Sequence, residues 1–116
     1  MKVIIAGDRT YTDYSEFLSI MRSYLPTMTI TEIVSGGAKG ADKMGEQYAS
    51  EYEVPLKVFP ANWEQYGKAA GPIRNKQMAD YADALIAFIK PGSKGTLDMV
   101  TQAARKPLDL IVVYAV

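Results

Sequence analysis

The chain contains no cysteine and no histidine. The first absence removes thiol nucleophiles, disulfides and thiolate zinc sites together. The second removes the imidazole base of a Ser-His-Asp triad and the commonest nitrogen ligand for a metal. Acid–base work is left to carboxylates, lysine, tyrosine or the ligand itself. No protein metal site is expected, and a metal cofactor is restricted to a hard, oxygen-ligated ion such as Mg²⁺ arriving with a phosphorylated ligand. Net charge is absent too. Lysines plus arginines number 13, as do aspartates plus glutamates, so no global field draws in nucleic acid. Nothing approaches the roughly 18 consecutive apolar residues that span a bilayer, and Met1 to Gly7 is too short an apolar run for a signal peptide. The expectation is a cytoplasmic protein without a membrane partner.

What is present is an ordinary globular composition, 48% apolar and 22% charged over 116 residues. That length accommodates one domain, residues 1–116, able to bury its core without cross-links.

Strand and helix patterns alternate along it. Val3 to Ala6 is a short apolar run stopping at Gly7, as a buried parallel strand does. Phe17, Leu18, Met21 and Leu25 recur at helical spacing over 14–25, with Pro26 following. Ile30 to Val34 predicts the second strand, and Met44, Tyr48 and Tyr52 stripe a helix over 41–52. Pro55 to Phe59 predicts the third strand. Residues 61–71 show no clear periodicity and hold the single tryptophan, Trp63, which suggests a functional loop or a short helical turn. Gly71-Pro72 reads as the start of a helix running to Tyr81. Ala84 to Ile89 predicts the fourth strand, 91–96 a loop, 97–105 the last helix and 108–114 the last strand. Helical crossovers between buried strands imply a single Rossmann-like α/β domain. Its five-stranded parallel sheet takes the order 3-2-1-4-5, with helices on both faces.

Ligands of such sheets bind beyond the carboxyl ends of the strands, where the strand order reverses. The least ordinary residues fall there. Gly7, Asp8, Arg9 and Thr10 follow the first strand, and Ser35, Gly36, Gly37, Ala38, Lys39, Gly40, Ala41 and Asp42 follow the second. Gly71, Pro72, Ile73, Arg74 and Asn75 open the helix beyond the third. Pro91, Gly92, Ser93, Lys94, Gly95 and Thr96 follow the fourth. Each segment couples small residues, which admit close backbone approach, to a basic side chain. Helix N-termini add unpaired amides and partial positive charge, so a phosphate is the natural guest. Plainer roles compete. Gly36-Gly37 also suits a bare strand-to-helix turn, and Arg74 with Lys76 a solvated helix face. Trp63 and Tyr66 suit packing as well as base stacking. Asp42 and Asp98 sit in expected first turns, where an acid complements the helix dipole without chemistry.

Standard motifs do not fit. Gly92 to Thr96 lacks the Gly-Lys-Ser/Thr close of a P-loop, and Ser35-Gly36-Gly37 lacks the spacing of the dinucleotide fingerprint.

The segments Ile5-Ala6-Gly7-Asp8-Arg9-Thr10, Val34-Ser35-Gly36-Gly37-Ala38-Lys39-Gly40-Ala41-Asp42, Gly71-Pro72-Ile73-Arg74-Asn75 and Lys94-Gly95-Thr96 together resemble the YspA-type branch of the SLOG superfamily. The superfamily includes the lonely-guy phosphoribohydrolases and the DNA-processing A proteins. The resemblance runs from Lys2 to about Val113 and implies a Rossmann-like fold with a nucleotide pocket, in a small bacterial or phage protein. Lonely-guy enzymes cleave a nucleoside monophosphate to base and ribose 5-phosphate. They carry Pro-Gly-Gly-x-Gly-Thr-x-x-Glu, with that glutamate and an arginine in catalysis. The counterpart here is Pro91-Gly92-Ser93-Lys94-Gly95-Thr96-Leu97-Asp98-Met99. Ser93 replaces a glycine, and Met99 stands in the place of the glutamate. Asp98 comes one residue early, a shift that turns a helical side chain by about 100°. Arg74 resembles the arginine of that site.

The leading expectation is therefore a sensor or sequestering module for a nucleotide-derived ligand, held by the small and basic residues named above. One alternative is a phosphoribohydrolase-like enzyme using Asp8, Asp42 or Asp98. Another is a single-strand nucleic-acid binder stacking bases on Trp63 and Tyr66. The resemblance also implies a homodimer, for which the apolar end Leu110 to Val116 offers an edge or interface, although a core strand explains it equally well.

Overall fold

A computed structural model describes residues 1–24 and 28–114. Five strands, β1 (Lys2–Gly7), β2 (Glu32–Ser35), β3 (Leu56–Val58), β4 (Ala84–Ile89) and β5 (Asp109–Tyr114), form one sheet in the order β3-β2-β1-β4-β5. All neighbours are parallel, as helical crossovers require. The helices are α1 (Tyr14–Tyr24), α2 (Ala41–Glu51), α3 (Trp63–Tyr66), α4 (Ala70–Tyr81) and α5 (Lys94–Arg105).

The middles of β1 and β2 and the whole of β4 are apolar because both their faces are covered. All six residues of β4 are buried. Alternate side chains enter different cores. Val3, Ile5, Ile86 and Phe88 pack with Phe17 and Met21 of α1 and Met44 and Tyr48 of α2. Ile4, Ala6, Leu85 and Ala87 pack with Met78 of α4 and Met99 and Ala103 of α5. Phe17 is the hub of the first core, its ring centroid 5.2 Å from Phe88 and 6.2 Å from Tyr48.

Several expected boundaries shift. α4 begins at Ala70, after a 3₁₀ turn over Gly67–Ala69, so Gly71-Pro72 lies inside its first turn rather than at its start. Residues 63–66, without readable periodicity, form the single helical turn α3. α5 begins at Lys94, three residues before the expected start, so Lys94, Gly95 and Thr96 are helical rather than loop. β2 ends at Ser35 rather than Val34. Tyr52 lies beyond α2 and is exposed, its ring against Tyr48 at 4.6 Å. β5 is a partly exposed edge strand paired with β4, not a core strand. Leu25 and Pro26, expected to end α1, and Ala115 and Val116 of the apolar end lie outside the described residues. No described helix is long and apolar enough to cross a membrane.

The packing of Phe17 has a measurable consequence. Phe17→Ala should lower unfolding free energy by about 3–5 kcal/mol, the range for deleting a fully buried phenylalanine. It should appear as a lower urea midpoint at unchanged slope.

Candidate functional site

β1 and β4 are adjacent, yet their chains leave for helices on opposite faces. Their last shared rung is the Asp8 amide donating to the Phe88 carbonyl at 2.9 Å. Beyond it the loops separate and leave a cleft of about 320 Å³. Side chains tie its rim together. The Asp8 carboxylate accepts from the Ser93 hydroxyl at 2.5 Å and from the Thr10 amide at 2.8 Å and hydroxyl at 2.5 Å. Lys90 donates to the Thr10 hydroxyl at 3.0 Å. The bond from Ser93, then those from Thr10, hold the Asp8 carboxyl down to about 2. Asp8 is thus a permanent anion fastening the β1 loop to the β4 loop, unable to serve as a proton donor near neutral pH.

Arg74 enters from the first turns of α4. Its Nη1 donates to the Gly36 carbonyl at 2.6 Å and its Nε to the Asn75 side-chain oxygen at 3.0 Å. The Asn75 amide nitrogen donates to the Gly95 carbonyl at 3.2 Å and to Asp98 at 2.9 Å. A chain of bonds therefore runs from Asp98 through Asn75 to Arg74 and the β2 loop. A Cβ at Gly36 would lie 2.5 Å from Arg74 Nη1, so any larger residue there has to push the guanidinium aside. Gly40 is required by conformation as well, with φ at 77° and its missing Cβ only 2.2 Å from the Asp8 carbonyl.

Asp42, in the first turn of α2, is buried at the cleft wall and accepts from the Ala38 amide at 3.3 Å. Burial raises its carboxyl to about 6, against the opposing pull of the Ala38 amide, Arg74 and the Gly7 amide. Desolvation in turn lowers Arg74 from its ordinary value, with the Asp42 charge acting in the other direction.

The floor is made by the start of α5. Ser93 precedes the helix but spends its hydroxyl on Asp8 rather than on a cap. The amides of Gly95 and Thr96 consequently have no acceptor among the described residues, the usual situation of a first helical turn. The Thr96 hydroxyl also lacks a partner there, although Thr96 is only 6% exposed and lines the cleft. Arg9 and Lys94 line it without an ion-pair partner among the described residues.

Of the residues singled out from sequence, Gly7, Asp8, Arg9, Asp42, Arg74, Asn75, Lys94, Gly95 and Thr96 line this cleft. Gly71 and Asp98 line an adjoining chamber instead. Ser35, Gly36, Gly37 and Gly40 shape the β2 loop without lining either space, and Lys39 lines neither. The Ser35 hydroxyl is taken up by Glu46 at 2.7 Å. Asp98 does not belong to the first turn of α5, so its expected dipole role gives way to its bond with Asn75. Met99, 1% exposed, reaches both the cleft and the second core. Sequence reasoning passed over Ser93 as a ligand-loop tie, although its departure from the signature glycine marked it. It also missed Lys90.

Asp42 gives a pH test. Between the ordinary 3.8 and about 6 the folded chain holds a proton that the unfolded chain has released. Stability therefore falls as pH rises through that window and stays lower above it. Asp42→Asn should remove this loss of about 2–3 kcal/mol. Urea midpoints should show the variant more stable than wild type near pH 8, with the gap closing near pH 4, where other groups cancel between the two.

No solved structure matches the chain. A curated relative, the Gene 61 protein of Mycobacterium phage D29, is 29% identical over 95% of this chain and 94% of its own length. The model of the YspA, cpYpsA-related SLOG family matches residues 1–66. That span carries the β1 and β2 loops, while Arg74 and the α5 floor lie beyond it. The chain belongs to the YspA, cpYpsA-related SLOG family.

Proposed function

We propose that the chain binds a phosphorylated, nucleotide-derived small molecule at the β1–β4 cleft and acts as a sensor or sequestering module. The observation that carries this is the α5 floor. Two amides without acceptors and the unpartnered hydroxyl of Thr96 line a space flanked by Arg9, Arg74 and Lys94. A phosphate offers acceptors to all of them, and the helix dipole favours its charge. Membership of a SLOG family supports a nucleotide as the carrier of that phosphate. Any Mg²⁺ would arrive with the ligand's phosphate, since the Asp8 oxygens are taken up by Ser93 and Thr10.

Thermal denaturation against a panel of nucleotides, sugar phosphates and dinucleotides tests it. A ligand at about 100 times Kd should add about 2.7 kcal/mol of stability. Arg74→Ala should abolish the shift. Gly36→Ala should do the same, because its Cβ displaces the guanidinium. A panel without any shift overturns the reading.

Asp42 favours a second reading, a hydrolase of N-glycosidic bonds. A cleft carboxyl with pKa about 6 is suited to protonate a departing base while water attacks the sugar carbon. Nucleoside monophosphates incubated with the protein should then release free base, and Asp42→Asn should stop the release. Intact nucleotide after prolonged incubation removes the hydrolase reading and leaves binding.

A further inference from the structure

Beside the cleft lies a second chamber of about 330 Å³. The two spaces share Arg9, Arg74, Asn75, Lys94 and Gly95, so they adjoin, with cations at the border between them. The outer wall of the second is Trp63 with Gly71 and Pro72, and Asp98 faces it from α5.

Trp63 does not behave as a packing residue. It is 52% exposed and belongs to neither apolar core. Its indole makes no ring pair or hydrogen bond among the described residues, the carbonyl alone accepting from the Gly67 amide. A tryptophan normally buries most of its large surface, so this one leaves apolar area uncovered beside a polar, cationic hollow. Its position is nevertheless fixed. The Asn62 side chain caps α3 by accepting from the Gln65 amide at 3.0 Å. The ring edge also rests over Gly71, where a Cβ would lie 3.5 Å from Cη2.

We infer that Trp63 is the stacking platform for the base of a nucleoside 5′-phosphate whose phosphate occupies the α5 floor. This rests on the proposed phosphate site and adds the chemical class of the ligand. A sugar phosphate fills the first cleft alone. A planar heterocycle attached to it enters the second chamber, covers the exposed indole, and meets Arg9 and Asp98 as hydrogen-bonding or charged neighbours. Each space lies near the lower end of small-molecule sites, roughly 300–1,000 Å³, so the two together suit a mononucleotide.

Trp63 is the single tryptophan, which makes its emission a direct readout. Purified full-length chain is titrated with adenosine and guanosine 5′-monophosphates, ribose 5-phosphate and inorganic phosphate, with calorimetry in parallel. At least one nucleotide should quench the emission saturably, while ribose 5-phosphate competes without comparable quenching. Trp63→Ala should weaken that nucleotide on the order of tenfold, as expected for loss of one stacked base, and leave ribose 5-phosphate binding unchanged. Trp63→Phe should restore most of the difference. Circular dichroism and the melting temperature of Trp63→Ala should match wild type, since the ring lies outside both cores. If nucleotide and ribose 5-phosphate bind equally well, or weaken equally in Trp63→Ala, the stacking inference falls while the phosphate site stands. If neither nucleotides nor phosphates bind wild type, both fall.

Discussion

The divergence of β1 and β4 governs the rest of this structure. Two central strands, β4 buried throughout and β1 in all but its end residues, end side by side, and their chains depart to helices on opposite faces of the sheet. Such a split opens a solvent channel into the top of the core unless the departing loops are tied across it. Here the tie is the Ser93 hydroxyl on the Asp8 carboxylate, assisted by Lys90 on Thr10. Because Ser93 serves the tie, it does not cap α5. The same arrangement that closes the loops therefore leaves the first-turn amides of α5 available to a ligand.

The second constraint is the placement of a half-buried guanidinium. Arg74 has lost part of its solvent and donates hydrogen bonds to the Gly36 carbonyl and the Asn75 side chain, and the Asp42 charge partly offsets that loss. With Asp42 set against Arg74, Arg9 and Lys94 are the cleft cations left without an ion-pair partner among the described residues. The neutral balance of the whole chain thus conceals a site in which cations concentrate on one sheet edge. Net charge describes long-range attraction, whereas a cleft responds to the few charges lining it.

Strand order was legible because buried parallel strands read as short apolar runs, and Ala84 to Ile89 matches β4 residue for residue. The loops were legible because glycine and basic residues cluster at the strand ends. The start of α5 was not, since glycine is a poor helix former and Gly92, Ser93 and Gly95 together resemble a loop. The helix begins there because α4 and the second core hold it through Asn75 and Met99. α3 is a single turn, too short to display a period. The Asp8–Ser93 tie spans 85 positions and leaves no local pattern, and Asp98 reaches Arg74 only through Asn75. Pairings of this kind depend on which strands become neighbours, so they emerge after the sheet order is known.

Met99 shows how the side chains of this cleft differ from those of the lonely-guy signature. Its side chain is a member of the second core, against Met78, Ala6 and Leu85, as well as part of the cleft wall. A glutamate in that position would bury a carboxylate among apolar groups, at a cost of several kcal/mol unless it found a partner. Asp98 does not take over, because it faces the adjoining chamber and holds Asn75 in place for Arg74. The acid one position earlier supports Arg74 through Asn75, and the position facing the cleft belongs to the core. The other half of the signature, Gly95 and Thr96, is unaffected by this exchange, because what it presents to the cleft is backbone amides and the Thr96 hydroxyl. Those depend on the helix start and are indifferent to which side chain follows three residues later.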